Sequence, residues 1–488
     1  MPDDLIVVLD VGKTLAKLTL WTQEGALVAR ATHVNHHVQS GLYRALDTAG
    51  IDDWMAATLR GFATHGRVGA IMPVGHGAAA VLVRDGEIVT PPMDYEQPIP
   101  LADREEYDTG RDPFAHTGSP RLPDGLNLGA QLHYLERIVP GLLDGATQIL
   151  PWPQYWAWRL CGVAASEVTS LGCHTDLWQP RGRQPSDLAR ARGWATHFAP
   201  LAEAGDVLGT LTPAWARRTG LPASVRVHCG LHDSNAALLA ARGFPQIADN
   251  ESTVLSTGTW FVAMRTPSDG GEPNIASLPE AHDCVVNVDA YGKLIPSARF
   301  MGGREIELLT GVDARRLDIE PDQPALLAEV ADVVASGARV LPSWAPGTGP
   351  FPQHRGRWVA MPSSDLARRA AVSLYAALVA DAALTLIGAA QRILVEGRFA
   401  EAELLVRAVA SLRPNDAIYV SNAQNDVSFG ALRLLNPQLQ PPCALMRVQP
   451  LDIPILAYRD QWRHDTEATT HLAQPGQGII GHESEVRS

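Results

Sequence analysis

A strand, a glycine turn and a second strand, used twice along 488 residues, restrict this chain more than any other feature. Leu5 to Leu9 is a continuous apolar run that ends at Asp10. A turn follows at Gly12, Leu18 and Leu20 alternate through a second strand, and Glu24-Gly25 leads into a third around Leu27 to Ala31. Ser252 to Met264 opens another strand-turn-strand unit, directly after the break at Gly243-Phe244-Pro245. A single hydrophobic core stops growing at roughly 250 to 300 residues, so the doubled pattern predicts two α/β domains with a cleft between them. The boundaries that follow are 1–245, 246–462 and a polar tail, 463–488, expected to fray.

Between these anchors the spacing predicts a helix from about Leu42 to Phe62, strands at Ala70 to Met72 and Ala79 to Val83, and helices over Leu128 to Val139 and Trp152 to Leu160. Tyr95 to Gly125 is rich in Pro, Gly and Asp and reads as a long surface excursion of the kind that forms lids. Val225 to Cys229 is a short strand, and Ala236 to Ala241 begins a helix of small residues. Leu366 to Leu394 reads as one long helix and Glu401 to Leu412 as another.

Composition excludes several classes of function. The N-terminus MPDDLIVVLDVGK places acids where a secretory leader carries positive charge, and no apolar run approaches the roughly 20 residues that span a bilayer. The five cysteines, Cys161, Cys173, Cys229, Cys284 and Cys443, are scattered without a C-x-x-C pair, which points to a reducing cytoplasm rather than a disulfide framework or zinc ribbon. A net charge of -13 opposes binding to nucleic acid. His33, His36 and His37 match no metal-ligand spacing and read as a polar strand end.

Gly12-Lys13-Thr14 is not a P-loop, because that motif needs a glycine where Val7 stands. What remains is Asp10-x-Gly12-x-Thr14, a turn whose N–H groups and hydroxyl could face phosphate while the carboxylate holds a hydrated Mg2+. Ser256-Thr257-Gly258-Thr259-Trp260 is a second such turn, where glycine would supply positive φ and close approach. In Gly230-Leu231-His232-Asp233-Ser234, an acid follows an interrupted strand and precedes a helix. Read locally, Asp233 is either a helix cap or a catalytic carboxylate. His76, flanked by Gly75 and Gly77, sits where backbone can approach a ligand, and the tryptophans at 152, 156 and 158 read as core packing or a sugar platform.

In their order along the chain these segments resemble the FGGY family of carbohydrate kinases over nearly the whole sequence. Leu150-Pro151 to Leu160-Cys161-Gly162 is similar to the family's Pro-rich aromatic segment, and Val395-Glu396-Gly397 occupies the place of its glycine-rich adenosine loop, with Arg398 and Phe399 where further glycines are usual. The pairs His232-Asp233 and Thr259-Trp260 resemble the rhamnulokinase and L-fuculokinase branch, although the Asn expected after Arg299-Phe300 is absent and Gly302-Gly303 follows instead.

The resemblance implies two actin-like, ribonuclease H-like ATPase domains and ATP-dependent phosphorylation of a ketose, at the C1 hydroxyl of a 6-deoxyhexulose. Asp233 is then the catalytic base. Gly77, His76, His232 and Ser234 contact sugar, Lys13, Thr14, Lys17, Gly258, Thr259 and Gly397 hold ATP, and Asp10 positions Mg2+. The partners implied are a sugar and ATP, with neither nucleic acid nor membrane, in a cytoplasmic protein for which a homodimer is left open. Departures at Lys13, Gly303 and Arg398 keep two alternatives: a sugar- and nucleotide-binding sensor without efficient transfer, and a kinase for a pentulose. The presence of Asp233 argues against the first, since a sensor needs no base.

Overall fold

The computed structural model describes residues 4–248, 250–268, 271–313, 318–421 and 427–470. The first half is built on a sheet in the order 207–210, 226–228, 68–75, 5–11, 15–21 and 27–34, with Leu231–His232 also pairing with 68–75. Leu5–Val11 forms the centre because Val7, Val8, Leu9 and Val11 are all apolar and fully buried, as a strand covered on both faces requires. It runs antiparallel to Leu15–Trp21 and parallel to Val68–Gly75.

The second half repeats this plan. Ser252–Thr257 lies antiparallel to Phe261–Thr266 and parallel to Arg392–Gly397, in a sheet ordered 284–288, 294–300, 261–266, 252–257, 392–397, 417–420 and 446–447. The registers correspond: Asp10 pairs with Val74 and Val11 with Gly75 in one sheet, as Ser256 pairs with Glu396 and Thr257 with Gly397 in the other. Equivalent turns, at Gly12 and at Gly258, therefore leave equivalent ends of the two sheets.

The halves are laced together. On one face of the first sheet Val8, Met72 and Val74 pack with Ala236, Leu239 and Ala240 of the helix Asp233–Ala241, and with Phe429, Ala431 and Leu432 of the helix Val427–Leu435 from the other half. The run of small residues after Asp233 permits this crossing. A side chain at Gly430 would meet the Ala236 carbonyl at 1.7 Å, so the two helix backbones touch.

Four expectations change. The 95–125 excursion is structured: it holds the helices Leu101–Gly110 and Phe114–Thr117. Arg104 is buried with its Nη1 on the Leu122 carbonyl, Arg111 pairs with Asp176 at 2.9 Å, and Val286 N–H bonds the Gly118 carbonyl at 2.8 Å, so the segment braces one half against the other instead of lying over it. The helix read over 366–394 ends at Leu386. Gly388 turns the chain at φ 67°, and Ile393, Leu394 and Val395, all fully buried, form the strand Arg392–Gly397. The helix expected from Leu42 begins at Thr48, where Asp47 caps Gly50 N–H. The tail does not fray at 463: the helix Leu456–Thr470 carries on, with Arg463 on Asp381 at 2.9 Å, Asp465 on Arg339 at 2.6 Å and Thr466 buried, while 471–488 lie outside the described residues.

Asp365–Leu386 is long and apolar enough to cross a bilayer, but it is the core helix of the second half, with Ala370, Ala371, Ala377 and Leu384 all fully buried.

Candidate active site

Asp233 stands at the first position of its helix, immediately after the two-residue strand Leu231–His232. The cap is His232, whose side chain makes no capping bond, so Asp233 is not spent as a cap. Its Oδ1 accepts the N–H of Ser234 at 2.6 Å and the Ser234 hydroxyl at 3.2 Å, which fixes one oxygen while 29% of the side chain stays exposed.

His232 is buried behind it. Its Nε2 lies 3.3 Å from Asp233 Oδ1 and 3.4 Å from Cys173 Sγ, its Nδ1 lies 3.3 Å from Asn235 Nδ2, and its peptide N–H donates to Thr169 Oγ1 at 2.9 Å. Thr169 is held in turn by Glu167, whose carboxyl burial pushes up to about 7. The ring is thus engaged within the protein, so the structure places His232 as a prop for Asp233 rather than at an open sugar surface. Gly77 explains itself by the same geometry: a Cβ there would meet Cys173 Sγ at 2.8 Å and His232 Nε2 at 3.0 Å.

His76 sits between Tyr95 (5.5 Å between rings) and Trp152 (5.7 Å). Its Nδ1 faces the Gly77 carbonyl at 2.7 Å and must donate to it, which leaves Nε2 as an acceptor. That Nε2 is buried without a hydrogen-bond partner. Burial holds the imidazole below 6.5, against the Gly77 carbonyl and the charge of Asp233, which both favour the cation. His76 is therefore a neutral acceptor whose unpartnered Nε2 lies in the field of Asp233.

The turn after Leu5–Val11 is closed by Gly12 N–H on the Leu15 carbonyl at 3.1 Å, and Asn35 braces it through the Gly12 carbonyl at 2.7 Å. Thr14 is exposed there, and Lys17 Nζ lies 3.3 Å from Asp10 Oδ2 across the strand pair. Lys13 departs from expectation. Its ammonium lies over the Tyr95 ring at 4.3 Å, against Asp94 at 3.3 Å and against Glu96. Asp94 is completely buried and is also met by Arg44 at 2.7 Å and His37 at 3.1 Å, so Lys13 is committed to neutralising an interior carboxylate and not to ATP.

At the second turn Gly258 N–H bonds the Trp260 carbonyl at 3.0 Å, and Thr259 is exposed. Gly258 does not adopt positive φ, so the conformational reason expected for it falls away. A Cβ there would meet nothing nearer than 3.7 Å, and what the glycine supplies is open space. The constrained glycines are its neighbours. Gly397 has φ 82° and ψ -165°, and a Cβ on it would lie 2.4 Å from the Thr257 carbonyl; one on Gly303 would lie 2.1 Å from the Gly258 carbonyl.

A cavity of about 1380 Å³ opens beside this turn, lined by Ser256, Glu396, Gly397, Arg398, Val406 and Val420 among others. A smaller one of about 210 Å³ is lined by Asp233, Ser234, Val262 and Met264. The two share Ala237, Ser256, Glu396 and Val427, so the space beside Asp233 continues into the large cavity.

Two site residues, Tyr95 and Arg299, escaped the sequence reading, and a third, Trp152, stood open there between core packing and a sugar platform. Tyr95 lies in the excursion, where an aromatic between Asp94 and Glu96 was the available signal. Trp152 donates Nε1–H to the Val11 carbonyl at 3.0 Å besides facing His76. Arg299 comes from the second sheet, stacks on Trp260 at 5.0 Å and pairs with Asp283 at 3.0 Å; its charge, after burial, helps hold His174 down at about 3. Nothing local in the sequence marks that reach.

The chain matches the family Carbohydrate kinase FGGY, C-terminal domain, over residues 249–442. It is 29% identical over 354 residues to an L-fuculokinase of Salmonella typhi, covering 69% of this chain and 71% of that one. The crystal structure of a carbohydrate kinase from Novosphingobium aromaticivorans superposes with a TM-score of 0.91 at 52% identity, covering 96% of this chain and 100% of that one. A xylulose kinase from Rhodospirillum rubrum shares the fold, two actin-like ATPase domains, at a TM-score of 0.75 and 18% identity over 96% and 98% of the two chains. Because a carbohydrate kinase 52% identical spans the whole architecture, and the C-terminal-domain match falls on the half that carries Gly258 and Gly397, this chain belongs to the FGGY family of carbohydrate kinases and is a phosphotransferase that uses ATP.

Proposed function

We propose that the protein transfers the γ-phosphoryl group of ATP to the C1 hydroxyl of a ketose, with a 6-deoxyhexulose such as L-fuculose or L-rhamnulose preferred. The observation that carries the reading is the continuity of the Asp233 space with the large cavity, which lets an acceptor hydroxyl at one meet a nucleotide in the other. The choice of sugar leans on the similarity to an L-fuculokinase.

Phosphoryl transfer asks the protein mainly to align the acceptor oxygen with the γ-phosphorus and to neutralise charge. Asp233 accepts the hydroxyl proton; with Oδ1 tied to Ser234, its second oxygen is the one left to do so. His232 keeps the carboxylate in place, and His76 Nε2 accepts a hydrogen bond from a second sugar hydroxyl. The exposed hydroxyls of Thr14 and Thr259, on the turns at Gly12 and Gly258, face the β- and γ-phosphates from the two halves, and Gly397 lies against the adenosine. Asp10 is a suitable holder for Mg2+, being a hard anionic oxygen donor, partly exposed and oriented by Lys17 at 3.3 Å, for an ion that keeps most of its waters. Bound with ATP, Mg2+ would supply charge neutralisation on the phosphates.

The reading is tested by kcat/KM for L-fuculose, L-rhamnulose, L- and D-ribulose, D-xylulose and glycerol with ATP and Mg2+. One methyl in an apolar pocket is worth about 1 to 3 kcal/mol, so 6-deoxyhexuloses should lead, and glycerol, which leaves the polar partners unpaired, should trail them all. A pentulose ahead by about tenfold (about 1.4 kcal/mol) would move the substrate class, and glycerol in front would refute the ketose reading.

His76→Ala should raise KM for the sugar about tenfold, the size of one buried hydrogen bond of about 1.4 kcal/mol, with KM for ATP unchanged. The pH dependence has a definite sign. Because burial lowers the imidazole pKa, Nε2 is an acceptor at neutral pH and is lost only as pH falls through that lowered value, so sugar KM should be flat through neutral pH and rise only in acidic solution. A rise beginning above pH 7 would contradict the neutral-acceptor role.

A further inference from the structure

Arg398 stands where the chain leaves the glycine-rich loop pattern, and its backbone is pinned on both sides. Before it, Gly397 is held at φ 82° with no room for a Cβ beside the Thr257 carbonyl. After it, Phe399 turns inward to 5% exposure, its ring 5.3 Å from that of Phe261 and its N–H on Thr257 Oγ1 at 3.0 Å. The residue between them is thereby presented to the large cavity, which it lines. Strand 392–397 runs parallel to 252–257 with Gly397 opposite Thr257, so Arg398 stands one step further on, beside the turn at Gly258.

The guanidinium is unmatched. Its Nε is buried without a hydrogen-bond partner, and among the described residues Arg398 makes no ion pair. Arg407, another cation lining this cavity, is by contrast committed to Glu403 at 3.3 Å, Asp452 at 3.2 Å and the Pro450 carbonyl at 3.0 Å. A buried donor left unsatisfied is costly, and a guanidinium fork matches phosphate oxygens in geometry and charge.

We propose that Arg398 grips the phosphates of the bound nucleotide, a contact this chain makes with a side chain at a loop position that would otherwise offer only backbone. The assignment rests on the reading that ATP occupies the large cavity. It makes Arg398 a determinant of nucleotide affinity, acting on the phosphate chain and not on the base or ribose.

Calorimetric titration of ATP, ADP and adenosine into wild-type protein, Arg398→Ala and Arg398→Lys separates the possibilities. Expected are a loss of about tenfold or more in ADP and ATP affinity for Arg398→Ala, adenosine affinity unchanged within about twofold, and partial recovery in Arg398→Lys, which keeps the charge without the fork. Equal losses for ADP and adenosine would mean that Arg398 merely shapes the loop, and unchanged affinities would mean that it touches no ligand; either overturns the assignment while leaving the cavity reading intact. Wild-type protein that binds neither ATP nor ADP would remove the cavity reading, and the assignment with it.

Discussion

Asp233→Asn should lower kcat by roughly 10²- to 10⁴-fold, the range for removal of a general base, with affinities for ATP and sugar close to those of the parent. The amide keeps the size of the carboxylate and an oxygen to accept the Ser234 N–H that now lies 2.6 Å from Oδ1, so the helix start should not rearrange. It cannot take a proton. His232 Nε2 at 3.3 Å would still have that oxygen to face, which makes the substitution a test of proton transfer and not of packing. Steady-state kinetics with each substrate varied checks it; turnover within about threefold of the parent would mean that Asp233 is not the base.

Gly303→Ala should be a severe change beside the turn at Gly258. The added carbon would lie 2.1 Å from the Gly258 carbonyl oxygen and 3.2 Å from the Phe399 ring. The first of these is backbone, so no rotamer relieves it; either the helix Gly302–Thr310 withdraws or the turn moves. Overpacking of this kind costs about 1 to 3 kcal/mol, and here the cost falls on the turn at Gly258 that we propose faces phosphate. KM for ATP is expected to rise by about tenfold or more together with a lower melting temperature. Gly258→Ala provides the control. Its Cβ would meet only the Trp260 carbonyl at 3.7 Å, so the fold should be unaffected and any loss should appear in ATP binding alone. Unaltered ATP kinetics in Gly303→Ala would show that the turn tolerates displacement and holds no phosphate.

The glycine at 303 illustrates what the sequence conceals. Read along the chain, Gly302-Gly303 is a departure from a family pattern; in space, Gly303 is the residue that lets a helix rest on the turn at Gly258. The doubled strand-turn-strand units were legible because they are local: apolar runs broken by a glycine announce themselves within ten or so residues. Asp233 was legible for the same reason, at a strand end before a small-residue helix, and the tight crossing at Gly430 explains those small residues.

Lys13 was not legible as an ion-pair residue. Its partners Asp94 and Glu96 lie far along the chain, and only the fold reveals that Asp94 is buried and needs neutralising. Strand 392–397 was hidden because Ile393-Leu394-Val395 follows a long apolar helix, and a short buried strand has no periodicity that distinguishes it from more helix. The excursion at 95–125 looked like a loop because its order comes from buried polar pairs such as Arg111 with Asp176, which composition does not show.

The central claim is that the cleft moves a phosphoryl group from ATP onto a sugar hydroxyl, and phosphorus NMR of a reaction with ATP, Mg2+ and L-fuculose or L-rhamnulose tests it without reference to any mutant. The account predicts ADP and a new phosphomonoester in equal amounts, coupled to the C1 methylene protons of the ketose. ADP accompanied only by inorganic phosphate across the whole ketose panel, or no turnover at all, would contradict it and favour a nucleotide- and sugar-binding sensor.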